Sequence, residues 1–272
     1  IIYLVEDTSK NQATLIIPIE VIDPMTAWID TLHIYYINDT HGAIFESGQQ
    51  MGMANIGNLI LDEKQHRPSQ TLFLGGGDLL QGTMISNYFN GASMMHVLDE
   101  MQMDAFVIGN HEFDWGLEVV TDYFNPDSEG LTVNFPLLGA NVFIENTTIR
   151  PDFIDPYAIF QKGQVKVGVI GLMGYGLESS IATSRIAGYY FADPIVWTAH
   201  YAKELREDHQ VDVVLAVIHG ASDFTNQGIG NLTGLSRVDA VFNGHTHQAS
   251  ITNYQRSGLR MPIMQSGGNG NF

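Results

Sequence analysis

The 272-residue chain contains no cysteine. That excludes a disulfide framework and a thiolate active site. Long hydrophobic runs are lacking too, and no window is apolar enough to span a bilayer. Basic residues are scarce: 12 Lys and Arg stand against 30 Asp and Glu, for a net charge of −18. So acidic a chain repels nucleic-acid polymers and anionic membranes. A small phosphate compound stays compatible where cations in a pocket reverse the local field. There is no repeat at a solenoid period and no low-complexity tract. The chain opens on Ile1 rather than Met, and residues 1–5 are too short for a signal core, so it reads as a processed or trimmed product. The lack of cysteine fits an extracytoplasmic location.

What is present is 44% apolar content, enough for a sizeable core, at a length of one or two domains. Two apolar runs, 71–74 and 105–108, read as buried strands. Each ends in glycine and then in groups that can hold a metal or move a proton. After the first come Gly75, Gly76, Gly77 and Asp78; after the second come Gly109, Asn110, His111, Glu112, Phe113 and Asp114. In open α/β sheets ligands collect where strands end and loops begin, so two such loops point to one site.

The rest of the chain follows a strand–loop–helix rhythm. Residues 1–5 and 15–22 read as a hairpin or edge pair around a turn at 7–12, forming a lead-in over 1–24. Residues 32–37 read as a strand ending in Asn38, Asp39, Thr40 and His41, and an extended i, i+2 pair would put Asp39 and His41 on one side. Helices are expected at 53–65, 93–101 and 194–208, and strands at 136–142, 211–218, 238–242 and 261–264. Residues 157–160 and 165–171 read as a hairpin around Lys162 and Gly163. His219 follows the run 211–218, and His245 and His247 follow 238–242.

Asp39, His41, Asp78, Asn110, His219, His245 and His247 thus sit at five strand ends. Asp, Asn and His are the ligands of borderline to hard divalent ions such as Zn, Mn, Fe or Co. Seven are too many for one tetrahedral ion and suit two ions sharing a carboxylate. An Asp three residues after His111 can accept its ring proton and fix its tautomer, which assigns Asp114 to His111.

Read in order, the strings NDTHGAIF, GGGDLLQGT, GNHEFDWG, a lone His219 and NGHTHQ resemble the calcineurin-like metallophosphoesterase superfamily, most of all its 5′-nucleotidase branch. That branch includes UDP-sugar hydrolases and 2′,3′-cyclic-nucleotide phosphodiesterases. The resemblance runs from about residue 32 to 265. It implies a four-layer α/β/β/α sandwich over residues 25–272. It also implies Asp39, His41 and His247 on one metal, Asn110, His219 and His245 on the other, and Asp78 bridging. Catalytic roles fall to His111, Asp114 and Asn110, with Glu112 outside the ligand set. The implied reaction is release of phosphate from a nucleotide by in-line attack of a metal-bridging hydroxide, in an extracytoplasmic enzyme. In this branch a C-terminal domain grips the base, and nothing here matches it. The segment from Gly52 to Gly57 and the loop after Gly171 also depart from the branch's usual residues.

Other readings are a related hydrolysis of sulfur–sulfur bonds and a catalytically silent metal-binding surface domain. The complete ligand set, with His111 and Asp114 beside it, argues against the silent domain. His33, His66, His96, His200 and His209 lie outside the motifs and read as structural. Asn146 and Asn231 open glycosylation-type triplets, a pattern that recurs by chance.

Overall fold

The computed structural model describes residues 3–6, 12–16, 19–22, 29–48, 50–256 and 258–270, with side chains from residue 31 onward. The turn expected at 7–12 lies outside the described residues apart from Gln12. In chain order the strands and helices are β1 (Tyr3–Glu6), β2 (Gln12–Ile16), β3 (Ile19–Ile22), β4 (Ile29–Ile37), α1 (Met53–His66), β5 (Thr71–Gly75), α2 (Met84–Tyr88), α3 (Ala92–Glu100), β6 (Ala105–Val107), α4 (Leu117–Thr121), β7 (Leu137–Leu138) and β8 (Val142–Ile144). There follow β9 (Ile154–Asp155), β10 (Tyr157–Lys162), β11 (Val165–Met173), α5 (Thr183–Ile186), β12 (Tyr189–Phe191), α6 (Pro194–Glu207), β13 (Val213–His219), α7 (Asp223–Gly230), β14 (Ala240–Gly244), β15 (Ser250–Arg256) and β16 (Leu259–Gln265).

Two six-stranded sheets carry the fold, ordered β3-β4-β5-β6-β7-β9 and β10-β11-β13-β14-β16-β15. From β4 to β9 the first is parallel, and β11, β13, β14 and β16 run parallel in the second. Antiparallel strands close three of the edges. Parallel strands need crossovers, and helices supply them: α1 lies between β4 and β5, α6 between β11 and β13, and α7 between β13 and β14.

Side-chain alternation builds four layers from this topology. On β4, Ile34 and Tyr36 meet Val167, Leu215 and Phe242 of the other sheet in one buried cluster. Their neighbours Tyr35 and Ile37 point the other way, onto Ile56 and Ile60 of α1 and Leu98 of α3. On the second sheet Val214, Ala216 and Ile218 pack outward against Ala202 and Leu205 of α6 and Ile229 of α7. The order is helix, sheet, sheet, helix. Truncating a side chain such as Phe242, which is fully buried between the sheets, to alanine is expected to cost about 3–5 kcal/mol.

The structure corrects the expected strand 136–142. It breaks into β7 and β8, which belong to different sheets. Asn141 causes the turn: its amide donates to the carbonyls of Met173 and Ala192, and its oxygen accepts from Met173 N at 2.8 Å. The fold also holds β15 and α7, which periodicity does not announce. β15 is a mostly exposed edge strand of polar sequence, and α7 carries two glycines. The helix at 194–208 appears as α6, whose first turn is capped by Asp193 accepting from Ile195 N at 2.8 Å.

Candidate metal centre

The carboxyl ends of the central parallel strands of both sheets open on one edge of the sandwich, and the motif loops meet there. Asp39 and His41 follow β4, Asp78 follows β5, Asn110 follows β6, His219 ends β13, and His245 and His247 follow β14. Asp39 and His41 do not face one way through an extended backbone, as their spacing implied. Their φ angles are 51° and 49°, in the left-handed region. Asp78 (53°), His245 (80°) and His247 (57°) share that conformation. Each such residue costs on the order of 1–3 kcal/mol unless its surroundings fix it, and such strain gathers at functional sites.

Backbone contacts between loops do the fixing. Asp39 N donates to Gly77 O at 3.0 Å, His41 N to Asp78 O at 3.0 Å, and Asn269 N to Asp39 O at 2.6 Å. The glycines after β5 allow this approach. A Cβ on Gly77 would lie 2.8 Å from Gly109 Cα and 2.6 Å from the His219 ring. Their role is to let loops pack together, rather than to let backbone meet a ligand.

The side chains fall into two groups, Asp39 with His41 and His247, and Asp78 with His219 and His245. Within each, one ligand atom per residue lies within 4.8 Å of the others. In the first, His41 Nε2 is 2.9 Å from His247 Nε2, and His247 Nε2 is 3.2 Å from Asp39 Oδ1. In the second, His219 Nε2 is 3.0 Å from Asp78 Oδ2 and 3.1 Å from Asn110 Oδ1. His41 Nδ1 lies 3.0 Å from Gln81 O, and His219 Nδ1 lies 2.8 Å from Gly76 O. A ring nitrogen that donates to a carbonyl fixes the tautomer and leaves the other, Nε2, as the lone-pair atom facing inward.

These atoms fit cations. Asp39 is buried, and its Oδ2 accepts from Asn38 Nδ2 at 2.5 Å and from His245 N at 2.8 Å. Its Oδ1 is buried and accepts no hydrogen bond, yet it points at the two imidazoles. An unpaired buried carboxylate oxygen is costly unless something positive meets it. Two carboxylates, an amide oxygen and four imidazoles suit divalent ions of the Zn, Mn, Fe and Co range.

The electrostatics of the metal-free site divide the histidines. Burial acts to raise the Asp78 carboxyl, but the His219 ring beside it holds it well below the usual carboxylate range. Burial acts to lower His219, but Asp78 outweighs it and lifts His219 to about 9. Burial lowers His41, and burial with the nearby His219 lowers His245. Neutral imidazoles are the metal-binding form, which His41 and His245 favour and which His219 reaches by giving up its proton.

His111 stands beside the first group, its ring centroid 5.1 Å from that of His41. Its Nδ1 is 2.8 Å from Asp114 Oδ2, and that hydrogen bond is the main cause raising its pKa. Both residues are about one-third exposed and face solvent. His111, His41 and His247 line a cleft of about 380 Å³ together with Thr40, Gln81, Thr83 and Asn269.

All seven expected ligands, with His111 and Asp114, converge at this edge. His33, His66, His96, His200 and His209 do not join either group. Two supporting residues carry no signal of their own in the sequence. Asn38 is fully buried and accepts from Ser266 N at 3.0 Å while its amide holds Asp39. Gln265 bonds the Thr246 hydroxyl at 2.6 Å between the two loop histidines. Asn38 stands inside the string NDTHGAIF next to Asp39, whereas Gln265 lies outside every quoted string.

The sequence model of the calcineurin-like phosphoesterase family matches residues 32–249. A 5′-nucleotidase of Vibrio parahaemolyticus is 31% identical over 231 residues, which cover 80% of this chain and 40% of the relative. The chain therefore spans well under half of that relative's length. The crystal structure of a 5′-nucleotidase precursor from Thermus thermophilus superposes with a TM-score of 0.72 at 23% identity, over 88% of this chain and 49% of that one. A sulfate thiohydrolase of the same organism gives 0.70 at 18% identity, over 87% of this chain and 52% of that one, so the fold alone does not separate the two chemistries. The family model spans most of the chain, and this protein belongs to the calcineurin-like phosphoesterases.

Proposed function

We propose that this chain is the catalytic domain of a two-metal phosphoester hydrolase acting on nucleotides. The observation that carries the reading is the pair of ligand groups on adjoining loops, with the unpartnered Asp39 Oδ1 facing His41 and His247. Asp39, His41 and His247 would hold one divalent ion, and Asn110, His219 and His245 the other, with Asp78 shared. When bound, two such ions supply an activated water and polarise a phosphoryl oxygen.

The chain's own residues do the rest. His111 and Asn110 would stabilise charge on the phosphoryl oxygens. His111, oriented by Asp114 and biased towards its protonated form, gives a proton to the departing alkoxide. A cleft of about 380 Å³ has the size for a small phosphoester. A net charge of −18 means that the centre's cations must provide the attraction for an anionic substrate.

In this reading residues 25–272 form the catalytic domain, and residues 1–24 are a lead-in whose β3 adds an edge strand to it along β4. Base recognition belongs to a C-terminal nucleotide-binding domain, in keeping with the share of the Vibrio relative that this chain spans. The enzyme works outside the cytoplasm in this reading, as the family resemblance implies. Among the described residues no helix is long and apolar enough to cross a membrane.

The test is a substrate panel of AMP, 2′,3′-cyclic AMP, UDP-glucose and p-nitrophenyl phosphate, each with Mn, Zn and Co. Metal-dependent phosphate release from AMP is expected. Turnover confined to the cyclic diester or the sugar nucleotide would reassign the substrate, and no turnover with any metal would refute the reading.

A further inference from the structure

Glu112 is the one acid of the central loops that the proposed chemistry leaves unused. It is fully buried, in the 3-10 turn His111–Phe113. Burying a carboxylate is expensive unless donors meet it. Here four backbone N–H groups do. Oε2 accepts from Gly109 N at 2.8 Å and from Asp78 N at 2.8 Å. Oε1 accepts from Leu79 N at 3.1 Å and from Leu80 N at 3.4 Å. Successive N–H groups curled round an oxygen form an anion nest. Three of the four donors belong to the loop after β5, and the anion comes, with Gly109 N, from the loop after β6.

The exchange is reciprocal. While Glu112 takes the N–H of Asp78, Asp78 Oδ1 takes the N–H of His111 at 2.9 Å. Asp78 is thereby held on both sides at a φ of 53°, a conformation it would not keep unaided. The space admits no variation, since a Cβ on Gly109 would fall 2.4 Å from Asp78 Oδ1 and 2.8 Å from Glu112 Oε2.

We infer that Glu112 is a positioning residue for the metal centre: its carboxylate locks the Asp78 loop to the Asn110 loop and so sets where the shared carboxylate sits between the two ligand groups. This rests on the two-metal reading above. An amide cannot replace it, because a Gln at this position would turn an NH₂ towards some of the same four donors.

The experiment compares Mn²⁺ binding by titration calorimetry, and kcat and KM for p-nitrophenyl phosphate, in wild type, Glu112→Gln and Asp239→Asn. Asp239 also accepts a backbone N–H, Val214 N at 2.9 Å, but it lies away from the centre and serves as the control for stability alone. Glu112→Gln is expected to bind Mn²⁺ roughly 10–100-fold more weakly, as outer-shell changes do. Its kcat at saturating metal should fall with little change in KM. Asp239→Asn should lower the melting temperature and leave Mn²⁺ affinity alone. A folded Glu112→Gln with wild-type affinity and kcat overturns the inference. A wild type that binds no Mn²⁺ overturns the metal reading itself, which is a different failure. If Glu112→Gln does not fold, amide exchange in metal-free wild type decides. Slow exchange at Asp78, Leu79, Leu80 and Gly109 before any metal is added supports the lock; protection that appears only with Mn²⁺ refutes it.

Discussion

Replacing His111 by alanine separates proton donation from metal chemistry. The ring is held by one hydrogen bond, Nδ1 to Asp114 Oδ2 at 2.8 Å, and none of its atoms belongs to either ligand group. His111→Ala should therefore keep its metals. A positioned acid contributes about 10²–10⁴ in rate. At ~1.36 kcal/mol per tenfold this is ~2.7–5.4 kcal/mol of barrier. That loss applies where the leaving group is a ribose alkoxide, which needs a proton to depart. A nitrophenolate leaves as a stable anion, so its hydrolysis should slow much less. The pH dependence follows from the same contact. The Asp114 hydrogen bond is the first cause raising His111, so the protonated ring persists to higher pH than an ordinary histidine. Turnover of AMP should fall as pH rises through that raised pKa, and Asp114→Asn should move the fall to lower pH. The assay is kcat for AMP and for p-nitrophenyl phosphate at saturating metal, from about pH 5.5 to 9, a window spanning the unperturbed histidine value. Equal losses on both substrates in His111→Ala would refute the acid role and leave His111 as a charge stabiliser.

Asp78→Asn should abolish hydrolysis and lower metal content, because Asp78 Oδ2 sits 3.0 Å from His219 and the shared charge is lost; unchanged metal content in the variant would count against sharing. In metal-free protein held in EDTA, His219 is lifted to about 9 despite its burial, chiefly by Asp78. Its contribution to stability is fully present below its unfolded value of about 6.5 and is lost as pH rises through about 9. The stake is at most roughly 3–4 kcal/mol, counted once for the pair. The melting temperature without metal should drop across that interval in wild type and less in His219→Asn; equal slopes would refute the pairing. For AMP, GMP, CMP and UMP, kcat/KM should differ by less than about tenfold, or ~1.4 kcal/mol. A larger spread would mean that this domain carries its own nucleoside pocket.

Much of the sandwich is legible in the sequence because its central strands are buried on both faces. The run ending at His219 is nearly continuous apolar sequence, and β13 is buried at every position. β15 faces water over most of its length, so nothing in its composition marks it as a strand. The break at Asn141 is set by carbonyls of Met173 and Ala192, 32 and 51 residues away in the chain, and no local window contains that information. At the centre, residue types mark the side chains that converge, because few other jobs call for Asp, Asn and His at strand ends. The backbone that aims them was not legible. The spacing of Asp39 and His41 invited an extended-strand explanation, whereas left-handed φ angles held by Gly77, Asp78 and Asn269 turn the two side chains together. Glu112 shows the same limit, for its four partners become visible only when two loops are folded against each other.

The two ligand groups are expected to bind two metal ions. Protein stripped with EDTA, reloaded with Mn²⁺ and freed of excess metal should carry two ions per chain by elemental analysis, with activity rising as the second site fills. One ion per chain, or none, at full activity would contradict it.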